Sequence, residues 1–326
     1  MPIPSPASLS AEPGAYGPTG RSAWMDVDWR EHRRTVEVDG RRVNVVDMGA
    51  GDPPVVFIHG LSGSWQNWLE NLPHFARGHR VIALDLPGFG HSEMPAEPIS
   101  IAGYARFVDR LLDRLGVGAA VIVGNSMGGF IGAEIAIRFP ARVERLVLVS
   151  AAGLNVEHQR HDRALAALRR GQTLLIAWGG YLGARSEALA SRPGARRLLM
   201  GVVVHRPDRL PAALIAEQVR GSGNPGFVDA LDALTSYPIR DRLGEIACPT
   251  LVVWGREDLL VPVRDADEFE ALIENARKVV WRHTGHMPML ERPGAFNALA
   301  DAFIAEEPGE RVDEAPPGAG VDGILR

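Results

Sequence analysis

Six short, nearly unbroken apolar runs recur along this chain, at residues 54–58 (PVVFI), 81–84 (VIAL), 120–123 (AVIV), 146–149 (LVLV), 250–254 (TLVVW) and 278–281 (KVVW). Runs this short and this apolar suit strands covered on both faces, as a parallel sheet requires. Helical patterns stand between them. Residues 99–115 place Tyr104, Phe107, Val108, Leu111, Leu112 and Leu115 on one face and stop at Gly116, a residue suited to closing a helix. Residues 264–276 and 293–305 read as further helices, and 35–38 with 43–47 make a hairpin pattern around Asp39-Gly40. The alternation predicts an α/β fold: a mostly parallel, twisted sheet flanked by helices and joined by right-handed crossovers.

The pattern breaks once. From about 153 to 238 the chain turns to arginine-studded, alanine- and leucine-rich helical stretches at 162–170, 173–178, 186–190, 210–219 and 227–234, with 202–204 the one strand-like exception. This predicts a helical cap, 153–238, inserted into a core made of 26–152 and 239–305. It would lie beyond the carboxyl edge of the sheet, where open α/β sheets place ligand sites. Residues 1–25 and 306–326 are too poor in large apolar groups to offset the entropy of ordering them, and are expected to be disordered tails.

The 326 residues are 46% hydrophobic and 23% charged, enough for a sizeable core. Thirty-five Lys and Arg against 40 Asp and Glu give a net charge of −5 with no basic block, which disfavours nucleic-acid binding. The lone Cys248 excludes an internal disulfide and a multi-cysteine metal site. No apolar run approaches the roughly 20 residues of a membrane span. The first residues lack the basic-then-apolar order of a secretory signal, so the expectation is a cytoplasmic protein. The weakly acidic balance implies no macromolecular partner, and nothing in the chain sets an oligomeric state.

The chemistry is carried by Gly124-Asn125-Ser126-Met127-Gly128-Gly129, directly after one strand run and directly before a helical pattern. A G-x-S-x-G turn between strand and helix exposes a strained serine beside a helix N-terminus, which favours negative charge. A serine hydroxyl needs a base, and the base an orienting acid. Trp254-Gly255-Arg256-Glu257-Asp258 follows a later strand and supplies the acid; Thr284-Gly285-His286-Met287-Pro288 follows the last strand and supplies the base. Ser126, Asp258 and His286 thus appear in the order the mechanism predicts. Asp258 is favoured, with adjacent Glu257 as the alternative, and Asp265 or Asp267 read as helix-start residues. Backbone N–H groups of Leu61 and Met127 are the natural oxyanion donors. His59 reads as a brace for its loop rather than a base.

No cofactor or metal is expected. The turn 85–92 (DLPGFGHS) lacks G-x-G-x-x-G and a ribose-binding acid, and reads as structural. The only lysine, Lys278, sits in a strand run, so there is no Walker lysine; His158 and His161 lack further ligands.

Taken together, HG at 59–60, DLPGFGHS at 85–92, GNSMGG at 124–129, GREDLLVP at 255–262 and GHMPMLERP at 285–293 resemble the α/β-hydrolase superfamily over about residues 35–305. The resemblance is to a serine-nucleophile, lidded, esterase- or lipase-like member. It implies Ser126 as nucleophile, Asp258 as acid, His286 as base, and the Leu61 and Met127 amides as the oxyanion hole. The serine disfavours relatives with an aspartate nucleophile, and HGLSG differs from the HGGPG of proline iminopeptidases. Hydrolases that cut the carbon–carbon bond of aromatic meta-cleavage products share GNSMGG. They typically carry a Gly-Pro-Gly oxyanion loop and an aromatic residue after the histidine, where this chain has Met287.

The resulting expectation is a hydrolase of small-molecule carboxylic esters with a medium, uncharged acyl group, working through an acyl-enzyme. The alternatives are carbon–carbon hydrolysis or perhydrolysis with the same triad, and a non-catalytic ligand-binding member of the fold. Trp178 and Tyr181 are candidate substrate contacts. Leu174, Leu175, Ile176, Leu198, Met200, Val202 and Val204 are candidates either for pocket lining or for the cap's own core. Arg196, Arg197 and Arg206 are candidates to bind a substrate carboxylate.

Overall fold

The computed structural model describes residues 14–154, 185–221 and 223–306. Its sheet has eight strands: β1 (Arg33–Val38), β2 (Arg41–Met48), β3 (Val55–Ile58), β4 (Val81–Leu84), β5 (Ala120–Asn125), β6 (Val143–Val149), β7 (Thr250–Gly255) and β8 (Ala276–Trp281). The spatial order is β1-β2-β4-β3-β5-β6-β7-β8. The hairpin β1–β2 and the pair β2–β4 are antiparallel; every other pairing is parallel. Asp39 and Gly40, at φ 54° and 70°, make the two-residue turn that the hairpin's twist favours.

The helices are α1 (Trp29–His32), α2 (Leu72–Phe75), α3 (Ile101–Arg114), α4 (Met127–Arg138), α5 (Ser186–Ala190), α6 (Pro193–Met200), α7 (Ala212–Arg220), α8 (Phe227–Ser236), α9 (Arg264–Leu272), α10 (Pro288–Glu291) and α11 (Pro293–Ile304). Ser100 caps α3 by accepting from Gly103 N–H at 3.1 Å. The inner strands β3, β4, β5 and β7 are buried at every position, with alternate residues pointing to opposite faces of the sheet. Val56, Ile58, Ile122 and Leu148 pack with Phe107, Leu111, Phe130 and Phe269 from α3, α4 and α9. Val55, Phe57, Val123 and Val149 pack on the other side with Trp68, Phe75, Phe296 and Phe303.

Three expectations shift. The helix expected over 264–276 ends at Leu272, because Ala276 already pairs with Thr250 as the first residue of β8. The strand-like 202–204 is a turn closing α6, with the N–H groups of Val203 and Val204 donating to Met200 O. Residues 14–25, assigned by composition to a disordered tail, are docked on the core. Trp24 is buried, its Nε1 donating to Glu70 Oε1 at 2.9 Å, and Ser22 Oγ donates to the same oxygen at 2.7 Å. Burial pushes the Glu70 carboxyl up, against the pull of those two donors.

Between 185 and 238 lie the helices α5 to α8; α5, α7 and α8 fall close to the stretches expected at 186–190, 210–219 and 227–234, while α6 matches none of the expected stretches. The helices expected at 162–170 and 173–178 lie outside the described residues, as do Trp178 and Tyr181. Met200 and Val204 are buried together with Leu214 and Ile215 of α7, in the same apolar cluster as Trp68 and Phe296. Leu198 and Val202 are exposed, at 85% and 52%. Among the described residues, no helix is long and apolar enough to cross a membrane, and no group of three or more His, Cys, Asp or Glu could hold a metal ion.

Two outcomes test this packing. Trp24→Ala is expected to lower stability by about 3 kcal/mol in urea unfolding, as for a core tryptophan; a loss near zero would mean that 14–26 is not docked. Burial pushes the half-buried Cys248 thiol up to about 11. The raised value leaves little thiolate at neutral pH, so iodoacetamide at pH 7.5 should leave the native protein unmodified and react only after unfolding.

Candidate active site

The loops after β3, β5, β7 and β8 leave from the same edge of the sheet, because these strands run parallel. Each carries one part of the site.

The turn after β5 is the tightest. Ser126 sits between strand and α4 at φ 55° and ψ −119°, a backbone conformation that a residue with a side chain adopts only under constraint. The constraint is visible. Ser126 N donates to Val149 O at 2.9 Å, while Ser126 O accepts from Phe130 N and Ala152 N, both at 3.1 Å. A Cβ on Gly128 would collide with the backbone carbonyls of Ile58 and His59, and one on Gly124 with the Gly128 carbonyl. Both must be glycine for strand and helix to meet. Ser126 stands at the N-terminus of the twelve-residue α4, whose dipole favours an anion there.

Beside it runs the loop after β3. A Cβ on Gly60 would lie 3.1 Å from the Ser126 Cβ, so the loop passes directly against the serine. Gly60 O faces His59 Nδ1 at 2.7 Å and accepts from Gly63 N at 3.0 Å. In a trans peptide the Leu61 N–H then points to the opposite side. Among the described residues, neither the Leu61 nor the Met127 N–H is hydrogen-bonded.

His59 is the brace the sequence suggests. It is fully buried, Nε2 accepts from Leu86 N at 3.0 Å, and burial lowers its basicity, holding the ring neutral. The 85–92 turn is likewise structural. Asp85 accepts from Trp65 N at 2.8 Å, His91 N at 2.9 Å and Asn44 Nδ2 at 2.8 Å.

The acid and base loops meet. His286 Nδ1 lies 2.7 Å from Asp258 Oδ2, and both side chains are almost wholly buried. The other oxygen of Asp258 accepts from Leu260 N at 2.8 Å and Val261 N at 2.9 Å, which fixes the carboxylate's orientation. Glu257 is turned away, accepting from Thr284 N at 3.0 Å. Asp267 pairs with Lys278 at 2.9 Å, and Asp265 is buried at the start of α9.

Ser126 is tied to this pair through its neighbour. Asn125 Nδ2 donates to His286 O at 3.2 Å and to Val149 O at 3.1 Å. Among the described residues, the His286 ring is hydrogen-bonded to Asp258 and not to the Ser126 hydroxyl. Asn125 escaped the sequence reading, although a buried amide ending an apolar strand is itself a signal. Asn224 escaped it too: its side chain accepts from Gly90 N at 2.8 Å and donates to Gly221 O at 2.8 Å, joining the end of α7 to the 85–92 turn.

Of the cap arginines, Arg196 donates to Leu210 O at 2.8 Å, Arg197 to Asp208 at 3.2 Å, and Arg206 lies 3.7 Å from Asp208.

Gly128→Ala tests the turn. The added methyl should cost about 3 kcal/mol in thermal unfolding and slow labelling of the serine by a fluorophosphonate; an unchanged midpoint and labelling rate would contradict the close approach.

The family model for the alpha/beta hydrolase fold matches residues 53–293. The chain is 34% identical over 277 residues to the dihydrolipoyllysine-residue acetyltransferase component of the acetoin cleaving system of Cupriavidus necator. That match covers 81% of this chain but 66% of the relative, just under two thirds of its length. It is 32% identical over 292 residues to 2-hydroxy-6-oxo-2,4-heptadienoate hydrolase of Pseudomonas putida, covering 84% of this chain and 96% of that one. Among solved structures, it resembles an N-acyl homoserine lactone degrading enzyme at 31% identity and a TM-score of 0.67, covering 83% of this chain and all of the other. Sheet, turn and matches agree: the chain belongs to the alpha/beta hydrolase fold family and is a hydrolase.

Proposed function

We propose that Ser126 is a nucleophile toward a carbonyl carbon, with His286 its general base, Asp258 the orienting acid, and the Leu61 and Met127 N–H groups the oxyanion donors. The observation that carries this is the 2.7 Å contact between the buried His286 and Asp258, on a peptide that Asn125 ties to the Ser126 turn. Asp258 fixes the imidazole so that Nδ1 carries hydrogen and Nε2 is free to take the serine proton.

For the substrate, the relative acting on 2-hydroxy-6-oxo-2,4-heptadienoate, matched over nearly its whole length, favours carbon–carbon hydrolysis over the ester expected from the sequence. The Ser126 oxygen adds to the ketone carbon as His286 accepts its proton, and the oxyanion is held by the two amides. Collapse breaks the adjacent carbon–carbon bond. This takes place in the substrate's 2-oxo tautomer, formed when the 2-hydroxyl proton moves to the carbon beside the ketone. The electron pair then passes through the enone to the 2-oxygen, which takes the proton from His286. Water, deprotonated by the same imidazole, then cleaves the Ser126 ester, releasing a carboxylic acid and restoring the hydroxyl.

A second reading, ester or lactone hydrolysis, has its own support. Arg196, Arg197 and Arg206, the expected partners of a substrate carboxylate, are engaged with Asp208 and main-chain carbonyls. The resemblance to a lactone-degrading enzyme points the same way.

Turnover of three probes decides between them: 2-hydroxy-6-oxo-2,4-heptadienoate, followed by bleaching, p-nitrophenyl butyrate and an N-acyl homoserine lactone. The diketone acid is expected to give the highest kcat/KM; a preference for butyrate or lactone would transfer the assignment to the second reading. Ser126→Ala should lower kcat on the best substrate by at least about a thousandfold. Full retention of turnover would remove Ser126 from the chemistry.

A further inference from the structure

Glu291 is a wholly buried carboxylate that the mechanism above does not use. It closes α10, just beyond the histidine loop, and its oxygens collect N–H and O–H donors from three parts of the chain. Gly285 N donates at 2.9 Å to one oxygen and lies 3.0 Å from the other; Met287 N donates at 3.2 Å. These are the amides on either side of His286. His205 N of the cap donates at 2.9 Å, and Tyr16 Oη of the N-terminal segment at 2.7 Å.

The remaining contacts close the arrangement. His286 N itself donates to Val203 O of the cap at 2.9 Å. Tyr16 Oη accepts from Arg206 N at 2.7 Å, and Gly17 N donates to Glu291 O at 2.7 Å. Arg292 covers the Tyr16 ring at 4.9 Å and donates to Gly14 O at 2.8 Å. Burial pushes the Tyr16 hydroxyl well above its ordinary value, so it remains a donor at any working pH.

We propose that Glu291, completed by Tyr16, is a positioning residue for His286: one buried carboxylate fixes the peptides flanking the base and locks them to the cap and to the 14–17 strap. A cap alone would need only the Met287 N–H. Glu291 also spans to Gly285 and to His205, so its loss frees the histidine loop and the cap base together. A glutamine in its place would turn an NH2 group toward N–H and O–H donors, leaving buried donors unpaired. The inference rests on His286 being the base of the proposed reaction.

Tyr16→Phe, Glu291→Gln and His286→Ala, each compared with the unaltered protein, test it by p-nitrophenyl butyrate kinetics, the rate of fluorophosphonate labelling, and thermal unfolding. His286→Ala reads the base assignment by itself: if it keeps full turnover, that reading fails independently of Glu291. With that variant inactive, Tyr16→Phe is expected to lower kcat and labelling about tenfold, and Glu291→Gln about a hundredfold, with KM within about twofold, as for a misplaced catalytic group. Unchanged kcat and labelling in folded Tyr16→Phe and Glu291→Gln would overturn the proposal, even if their unfolding midpoints fall. If Glu291→Gln does not fold, Tyr16→Phe decides by the same criterion.

Discussion

The contact on which the site depends is backbone against backbone: α4 meets β3 at Gly128, where the Ile58 carbonyl leaves no room for a side chain. That approach forces the chain between β5 and α4 through one strained residue, and that residue is Ser126. Strain of this kind costs on the order of 1–3 kcal/mol and persists only where the surroundings overdetermine it. Here Val149 O, Phe130 N and Ala152 N supply three backbone hydrogen bonds to a single residue. The packing of two buried elements thus does the work of aiming one hydroxyl.

Around the turn, loops that would otherwise be irregular are each organised by a buried carboxylate accepting backbone N–H groups. Asp85 holds the turn after β4 and reaches Trp65; Asp258 holds 260–261 and faces His286; Glu291 holds both neighbours of His286. Charge-assisted bonds to backbone are stronger and shorter than neutral ones, and they leave no side-chain freedom to spend. At Glu291 burial pushes the carboxyl up, while the N–H and O–H donors around it pull the other way. The apolar sheet gives the loops a rigid base, and the acids give them their final geometry.

Much of this was legible in the chain because it follows from local pattern. The strands announced themselves as unbroken apolar runs, since both faces are covered, and α3 as one apolar stripe between Ser100 and Gly116. Ser126, Asp258 and His286 could be ranked by their places after strands. What escaped was fixed by partners far away in sequence. Tyr16 meets Glu291 across 275 positions and Trp24 meets Glu70 across 46, so composition alone made the segment look like a tail. The helix at 264 is shorter than its sequence pattern for the same reason: Ala276 fits a helical period, but its pairing with Thr250 belongs to the sheet.

The seam between α5 to α8, with the turns that join them, and the sheet-bearing part of the chain also has a chemical character that hydrophobic periodicity does not register. Asn67 Nδ2 donates to Gln218 Oε1 at 2.7 Å, Asn224 accepts from Gly90 N, His205 N donates to Glu291, and Arg206 N donates to Tyr16. An apolar seam would tolerate sliding, because burial is nondirectional. A seam of buried hydrogen bonds does not, since each donor shifted out of line is left unpaired at a cost of about 1–3 kcal/mol. These bonds therefore tie the described segments around α6 to α8 to the loops that carry Gly60 and His286 and to the 85–92 turn, so that their placement and the geometry of those loops are set by the same polar side chains.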